Sequence, residues 1–207
     1  MSSLIGRMPP TKIIVTGYLS IILFGALLLM LPVSSAEHTV TPFLDALFTA
    51  TSATCVTGLI VYDTATHWSL LGQVIIITLI QIGGLGFITM ATMIATISRR
   101  RIGLKSRFVM QESIAAPQMG GIVRLTRFVF TVTVAVEVTG AIILSLRFIP
   151  MFGFIKGVWY SVFHSISAFC NAGFDLMGSY SGKFSSLTAF ESDWVVNIVI
   201  MSLIVFG

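Results

Sequence analysis

Two stretches of this chain, 115 residues apart, have nearly the same sequence and interrupt otherwise apolar regions. The stretch at 47–59 is LFTATSATCVTGL, and the stretch at 162–174 is VFHSISAFCNAGF. Each copy is too short and too polar to cross a membrane, whereas the flanking segments are apolar enough to do so. Irregular backbone at membrane depth is tolerated only where it is buried in protein or lines a water-filled path. The repeat therefore predicts a paired intramembrane element that forms the wall of an ion pathway.

The composition is that of a membrane protein rather than a soluble domain. Hydrophobic residues make up 56% of the chain and charged residues 10%, whereas soluble domains carry about 25% charged residues. Segments 13–31 and 68–97 have no charge, and segment 128–146 has only Glu137. Because about 20 apolar residues cross the hydrocarbon core of a lipid bilayer, these segments predict three transmembrane helices.

The two ends of the sequence carry further expectations. A fourth apolar stretch begins at Trp194 and reaches Gly207 before it is long enough to cross a membrane. We therefore expect a fragment of a longer protein, and a truncated chain with no activity of its own is the alternative. Ser34, Ser35 and Ala36 resemble a signal-peptide cleavage site, but the preceding apolar run exceeds the usual length of about 7–15 residues, which favours a retained helix.

Charged residues are distributed unequally along the predicted topology. Basic residues crowd positions 98–127 and also precede the first helix: Arg99, Arg100, Arg101, Lys105, Arg107, Arg124 and Arg127, with Arg7 and Lys12. The positive-inside rule places the amino terminus and this linker in the cytoplasm of a multi-pass cell-membrane protein. Acidic residues lie on the opposite side: Glu37, Asp45, Asp63, Asp175, Glu191 and Asp193. These acids would attract cations to an entrance, and the net charge of +4 reflects topology rather than nucleic-acid binding.

The repeat extends to the helices on either side of the matching motif. Each copy consists of an apolar helix, a loop, a half-membrane segment and a returning helix, so both copies run in the same direction. The predicted organisation is a first helix–pore–helix unit at 1–98, a basic cytoplasmic linker at 99–126 and a second unit at 127–207. The predicted fold class is all-α and integral to the membrane, built from parallel repeats.

The first half-membrane segment has a recognisable start. Thr41 is placed to cap a helix whose first residue is Pro42 and which runs to about Ala53. About twelve residues at 1.5 Å each reach roughly 18 Å, so the negative end of the helix dipole would lie near mid-membrane. Residues 54–58 are then expected to return in extended form, and the glycine that closes each motif lets successive carbonyls turn towards one ion. A glycine that merely turns a loop is the alternative, which the repetition in register disfavours.

Four stretches together resemble the superfamily of potassium transporters that contains the Trk, Ktr and HKT proteins. They are DALFTATSATCVTGL at 45–59, LIQIGGLGF at 79–87, RRIGLK at 100–105 and FHSISAFCNAGFDL at 163–176. The resemblance covers practically the whole chain. It is closest to the amino-terminal half of the KtrB-like membrane subunit of bacterial Ktr potassium uptake systems.

The resemblance implies a potassium-channel-like fold of four linked helix–pore–helix units, of which two are present here. It implies K⁺ as the substrate, Na⁺ as an activator and a selectivity filter of backbone carbonyls. The filter residues that it indicates are Cys55, Val56, Thr57 and Gly58 in the first copy and Cys170, Asn171, Ala172 and Gly173 in the second. Such proteins also dimerise, bind a cytoplasmic ring of nucleotide-binding regulatory subunits and carry a gating loop in their third unit.

Glycines and cysteines outside the filter glycines admit structural or functional roles. Gly83, Gly84 and Gly86 lack the spacing of a phosphate-binding loop and favour close helix packing, with a role near a gate as the alternative. Cys55 and Cys170 lack Cys-x-x-Cys spacing, which favours packing over a disulfide or a metal site.

Few titratable residues fall in the predicted membrane region. Glu137 is the only acid in an apolar span, where such groups are costly and call for a partner that the sequence does not reveal. A structural hydrogen bond and a gating or interface role remain open for it. An intramembrane enzyme that uses Glu137 with a histidine lacks a nucleophile–base pair, so the chain is predicted not to be an enzyme.

Two further residues and one basic stretch also carry expectations. His164 is expected to pack inside the second half-membrane helix. Asp175 is either an acid that enriches cations at the outer mouth or a solvated loop residue. The stretch at 102–114 mixes basic and apolar residues, which suits an amphipathic helix on the inner surface or a docking site for a regulatory subunit.

Overall fold

The computed structural model describes residues 10–86, 89–90 and 122–207 of the chain. Its α-helices are α1 (Pro10–Leu29), α2 (Phe43–Thr54), α3 (Thr64–His67), α4 (Leu70–Leu85), α5 (Ile122–Phe152), α6 (Phe154–Phe169), α7 (Gly178–Ser181) and α8 (Trp194–Phe206). Short 3-10 turns lie at Pro32–Ser34 and Thr188–Phe190. Within the described ranges there is no β-strand, so the all-helical prediction is confirmed there. The stretch at 102–114 and the predicted linker up to 121 lie outside these ranges.

In the part of the chain that the structure describes, two helices are long and apolar enough to cross a membrane. They contribute Thr11–Leu29 of α1, with 19 residues, and Val123–Phe152 of α5, with 30 residues, each at a mean hydropathy of 2.1. Large apolar side chains are exposed along both helices, for example Phe24 at 63% and Leu146 at 72%. A continuous apolar surface of this kind is unfavourable in water, whereas lipid tails solvate it without cost.

The third predicted span, drawn from the uncharged run at 68–97, contains the helix α4 and is interrupted at Gly86. The helix α4 begins after Ser69, whose hydroxyl accepts a hydrogen bond from the Gly72 amide at 3.3 Å. It ends at Leu85 because Gly86 takes a φ of 80°, a left-handed conformation that closes a helix. Helical backbone is seen again at residues 89–90.

The helices predicted to reach halfway across the membrane, called the half-membrane helices below, are α2, with 12 residues, and α6, with 16 residues. The predicted cap at Thr41 is wrong, because its hydroxyl instead lies 3.2 Å from His67 Nε2. Pro42 holds the cap position in an extended conformation, and its carbonyl accepts a hydrogen bond from the Ala46 amide at 3.0 Å. The helix therefore starts at Phe43, one residue later than expected.

Each repeat folds as a group of three mutually packed helices. The first group contains α1, α2 and α4, and the second contains α5, α6 and α8. The groups join where α4 packs against α6 and where the short helices α3 and α7 meet. Ala46, Ala50 and Ala53 on α2 are fully buried, and such small side chains let neighbouring helices approach closely.

Candidate functional site

The helices α2 and α6 end in the same backbone turn, which forms the first turn segment (55–58) and the second turn segment (170–173). In the first, the Thr57 amide donates to the carbonyl five residues earlier at 2.8 Å. In the second, the matching bond from the Ala172 amide is 2.7 Å. The repeated sequence thus produces a repeated fold at the end of each half-membrane helix.

Each turn segment contains left-handed residues, so the predicted extended return at 54–58 is wrong. Val56 has a φ of 56° and Asn171 a φ of 57°. Each donates its amide to the carbonyl three residues earlier, at 3.3 and 3.0 Å, which completes the Schellman arrangement of helix ends. Asn tolerates this conformation, whereas a β-branched Val is strained in it by about 1–3 kcal/mol. The same backbone is therefore held in both copies despite different side chains.

The glycines that close the two segments lie against each other. Gly58 has a φ of 77° and Gly173 a φ of 72°. A Cβ atom built on Gly58 would lie 2.6 Å from the carbonyl oxygen of Ala172, and one built on Gly173 would lie 3.5 Å from the Gly58 Cα. Both the backbone conformation and this close approach require glycine at Gly58. Residues 115 positions apart in sequence thus meet at one point.

The sign of φ alternates along both turn segments. It is negative at Cys55 and Cys170, positive at the next residue, and positive again at the closing glycine. In a regular strand successive peptide groups point in opposite directions, whereas alternating right- and left-handed residues turn them to the same side.

The side chains that support the two segments differ. In the second copy the Ser167 hydroxyl donates to the Phe174 carbonyl at 2.6 Å. The matching hydroxyl of Ser52, and that of Thr54, are buried without a hydrogen-bond partner among the described residues. Buried unsatisfied hydroxyls are uncommon and mark the first copy as the less completely supported one.

His164, aligned with Thr49 in the first copy, anchors the chain after the second segment. It is 2% exposed. Its Nδ1 lies 2.7 Å from the Tyr160 carbonyl, and its Nε2 lies 3.3 Å from the Leu176 amide, which can only donate. Both bonds form with a neutral ring that carries its hydrogen on Nδ1. His164 is therefore packed and hydrogen-bonded on both sides, as expected from the sequence.

Three acids of the predicted outer cluster are engaged in hydrogen bonds. Asp45 accepts the Tyr62 hydroxyl at 2.8 Å, and Asp193 pairs with Arg147. Burial alone raises the pKa of Asp193, but the Arg147 hydrogen bond and the amides at the start of α8 outweigh this and hold the pKa below its usual value. Asp63 is 5% exposed and contacts the second repeat.

A cavity of about 240 Å³, lined by both polar and apolar side chains, adjoins the second turn segment. Its lining includes Asn171, Gly173 and Asp175, with Ser167 and His164 behind them. The Asp175 carboxylate accepts the Met177 amide at 2.8 Å. Asp175 thus lies beside the second segment.

The helix α4 contacts both half-membrane helices through adjacent glycines. A Cβ atom on Gly83 would overlap the Thr54 carbonyl at the end of α2, and one on Gly84 would lie 2.6 Å from Cys170 Sγ. Gly86 has a left-handed backbone and no such close neighbour. Cys170 is buried and Cys55 is exposed, and both are free thiols.

Glu137 has a partner that sequence reasoning missed. The Gln81 side-chain amide donates to both carboxylate oxygens, at 2.9 and 3.1 Å. A signal existed in the sequence, because Gln73 and Gln81 are the two glutamines of a long uncharged run, and polar side chains in an apolar span usually face a partner.

A family model for TrkH, described as a cation transport protein, matches residues 7–207. The chain belongs to the TrkH family of cation transport proteins. The predicted resemblance to potassium transporters is confirmed by this match and by the relatives below. The prediction that the chain is not an enzyme is also confirmed, since this is a family of transport proteins.

The chain is similar to several curated proteins. Potassium/sodium uptake protein NtpJ of Enterococcus hirae is 43% identical over 201 residues, which cover 97% of this chain and 43% of that protein. Ktr system potassium uptake protein B of Bacillus subtilis has the same identity and coverage. Ktr system potassium uptake protein D of the same organism is 35% identical over 205 residues, which cover 99% of this chain and 44% of that protein. The chain thus spans less than half the length of these relatives.

Proposed function

We propose that this chain forms part of the ion pathway of a potassium uptake transporter in the cell membrane, with the two turn segments as walls of its selectivity filter. The observation that carries the proposal is the contact between Gly58 and Gly173. It brings the two copies of the motif together at the ends of two half-membrane helices. The names of the relatives, which are potassium uptake proteins, support K⁺ as the transported ion.

In this proposal, K⁺ exchanges hydration water for backbone carbonyl oxygens of the two turn segments. The alternating φ lets successive carbonyls face the ion from one side of each segment. The carboxyl ends of α2 and α6 lie directly before the segments, and each contributes the equivalent of about half a negative charge. Side chains mainly hold the backbone, as the Ser167 hydroxyl does in the second copy. Asp175 would add negative charge at the outer mouth.

Two walls do not close a pore, and the relatives are more than twice as long as the matched region. We assign the remaining walls to further units in a protein of that length, with units here at 1–98 and 127–207 and a cytoplasmic linker between them. The amino terminus is then cytoplasmic. A homodimer, a cytoplasmic nucleotide-binding regulatory ring and stimulation by Na⁺ are parts of the same proposal. The name "Ktr system" supports a transporter of several components, and the name "potassium/sodium uptake" supports a role for Na⁺.

The test is uptake of K⁺ in cells that lack their own uptake systems, using the full gene that contains this chain. Gly58→Ser and Gly173→Ser are expected to reduce uptake or weaken discrimination against Na⁺. Gly153→Ser is the matched control, because Gly153 has a φ of 80° but nothing within 4 Å of a built Cβ. Wild-type uptake and selectivity in both filter variants, or equal losses in the control, would contradict the proposal.

A further inference from the structure

Glu137 is a buried acid that the filter itself does not use. It lies on α5 with 7% of its surface exposed, and within the described part of the chain its side chain forms no ion pair. A carboxylate in an apolar span is costly unless it is hydrogen-bonded, and Gln81 on α4 supplies that bond to both of its oxygens. The pair therefore links the second repeat to the first.

The Glu137–Gln81 pair continues to the second turn segment. The Gln81 side-chain oxygen accepts a hydrogen bond from Cys170 Sγ at 3.8 Å. Gly84, nearly one turn further along α4, packs directly against the same sulfur atom. Cys170 is the residue at which α6 ends and the turn segment begins. A displacement of the Gln81 side chain would therefore act first on Cys170, at the start of this segment.

The backbone of Glu137 also holds the helix that leads into the segment. Its carbonyl accepts the Ser165 hydroxyl at 2.7 Å. Gly140, three residues along α5, leaves room for that hydroxyl, since a Cβ there would lie 2.7 Å from it. The helix α6 is therefore fixed by α5 at Ser165 and by α4 at Cys170.

The described residues of the first repeat show no equivalent arrangement. At the 115-residue offset of the motif, the counterparts of Glu137 and Gln81 are Ile22 and Val196, which are both apolar. Cys55, the counterpart of Cys170, is exposed. Packing the two repeats together does not require a hydrogen bond to Cys170, the residue at which the second turn segment starts.

We propose that Glu137 and Gln81 are positioning residues that set the geometry of the second turn segment through Cys170, and so contribute to discrimination between K⁺ and Na⁺. This inference rests on the proposed filter. Carbonyl ligands select between ions only if they are held in place, and a brace on the first residue of the segment limits how far the carbonyls can move.

The test measures Rb⁺ uptake by the full-length transporter in medium that already contains enough Na⁺ for full stimulation, and the further concentrations of K⁺ and of Na⁺ that halve this uptake. Glu137→Leu and Gln81→Leu remove the brace. We expect the ratio of the half-inhibiting Na⁺ concentration to the half-inhibiting K⁺ concentration to fall about tenfold, the effect of losing one hydrogen bond to a charged group. Glu137→Gln keeps an acceptor oxygen for Gln81 and should stay within about twofold of wild type. The ratio does not depend on how much transporter reaches the membrane.

Gln73→Leu is the matched control. Gln73 lies two turns earlier on the same helix and accepts a hydrogen bond at 2.8 Å from Trp159 Nε1 on α6, eleven residues before Cys170. Its loss should lower stability and leave the ratio unchanged. An unchanged ratio in both leucine variants, or the same shift in Gln73→Leu, would overturn the inference.

Two further measurements separate the possible failures. In a Cys55→Ser background, Gln81→Leu should increase the rate of maleimide labelling at Cys170, which is 9% exposed; an unchanged rate would count against the brace. If Gly173→Ser alters the ratio but the leucine variants do not, the brace fails and the filter stands. If Gly58→Ser and Gly173→Ser both leave uptake and the ratio unaltered, the filter proposal itself fails.

Discussion

Asp63 tests whether an outer acid has a structural role or attracts cations, because its carboxylate forms hydrogen bonds that hold the two repeats together. Its Oδ1 accepts the amide and the hydroxyl of Thr66, both at 2.9 Å, and so caps α3. Its Oδ2 accepts the amide of Phe184, 121 residues further along, at 3.0 Å. Gly178, at the position that matches Asp63 in the second repeat, lies against the carboxylate and leaves no room for a side chain.

The cost of removing this carboxylate can be worked out from its partners. Asp63→Ala loses a helix cap, worth about 0.5–2 kcal/mol, and leaves the Phe184 amide without its acceptor, which costs about 1–3 kcal/mol. We expect a total of about 2–4 kcal/mol. Asp63→Asn keeps a capping oxygen for Thr66 but turns an amide towards the Phe184 N–H, so its cost should be about 1–2 kcal/mol.

The assay is thermal unfolding of the detergent-solubilised transporter, combined with the K⁺ concentration for half-maximal uptake. Both Asp63 variants should unfold at lower temperature than wild type, with Asp63→Ala the less stable. Glu37→Gln is the control, because it removes an exposed outer charge. If the Asp63 variants unfold like this control and instead need more K⁺ for uptake, Asp63 acts as an entrance charge and the structural argument is refuted.

Substitutions at two other positions test features of the turn segments and helix ends. Asn171→Val should destabilise the protein by about 1 kcal/mol, because a β-branched residue is strained at a φ of 57°, whereas Asn171→Gly should not; their unfolding midpoints decide this. Asp193→Asn keeps the cap of α8 and loses the pairing with Arg147, so it should cost at most about 1 kcal/mol at neutral pH. Since the folded pKa of Asp193 lies below its usual value, this difference is present above roughly pH 4 and disappears as the pH falls through the lowered pKa, which unfolding measured against pH would show.

The repeat and the half-membrane helices could be predicted because they depend on local sequence. The motif around Gly58 recurs at Gly173, and the helix predicted to end near Ala53 ends at Thr54. Apolar length predicted the spans that became α1 and α5. It failed at Gly86, since hydropathy averages over a segment and does not register the single left-handed residue that ends a helix.

Other features depended on contacts that no local pattern encodes. Thr41 has the right side chain for a cap, but His67, 26 residues away, takes its hydroxyl. The partner of Glu137 lies 56 residues away on another helix. The left-handed turn at Val56 runs against the preference of a β-branched residue, so only its repetition at Asn171 shows that the backbone, and not the side chain, is the repeated element.

The two repeats share a backbone but differ in what holds it. The second turn segment is supported by Ser167, by His164 and by the Gln81 contact to Cys170. The first has the unpaired Ser52 hydroxyl, the strained Val56 and an exposed Cys55. Ion ligands formed by these two walls would therefore differ in stiffness even though their carbonyl patterns match. In the proposed filter, the second wall is braced by the first repeat through α4. It would therefore set the distance between the two turn segments at the Gly58–Gly173 contact, and the looser first wall would adjust to it.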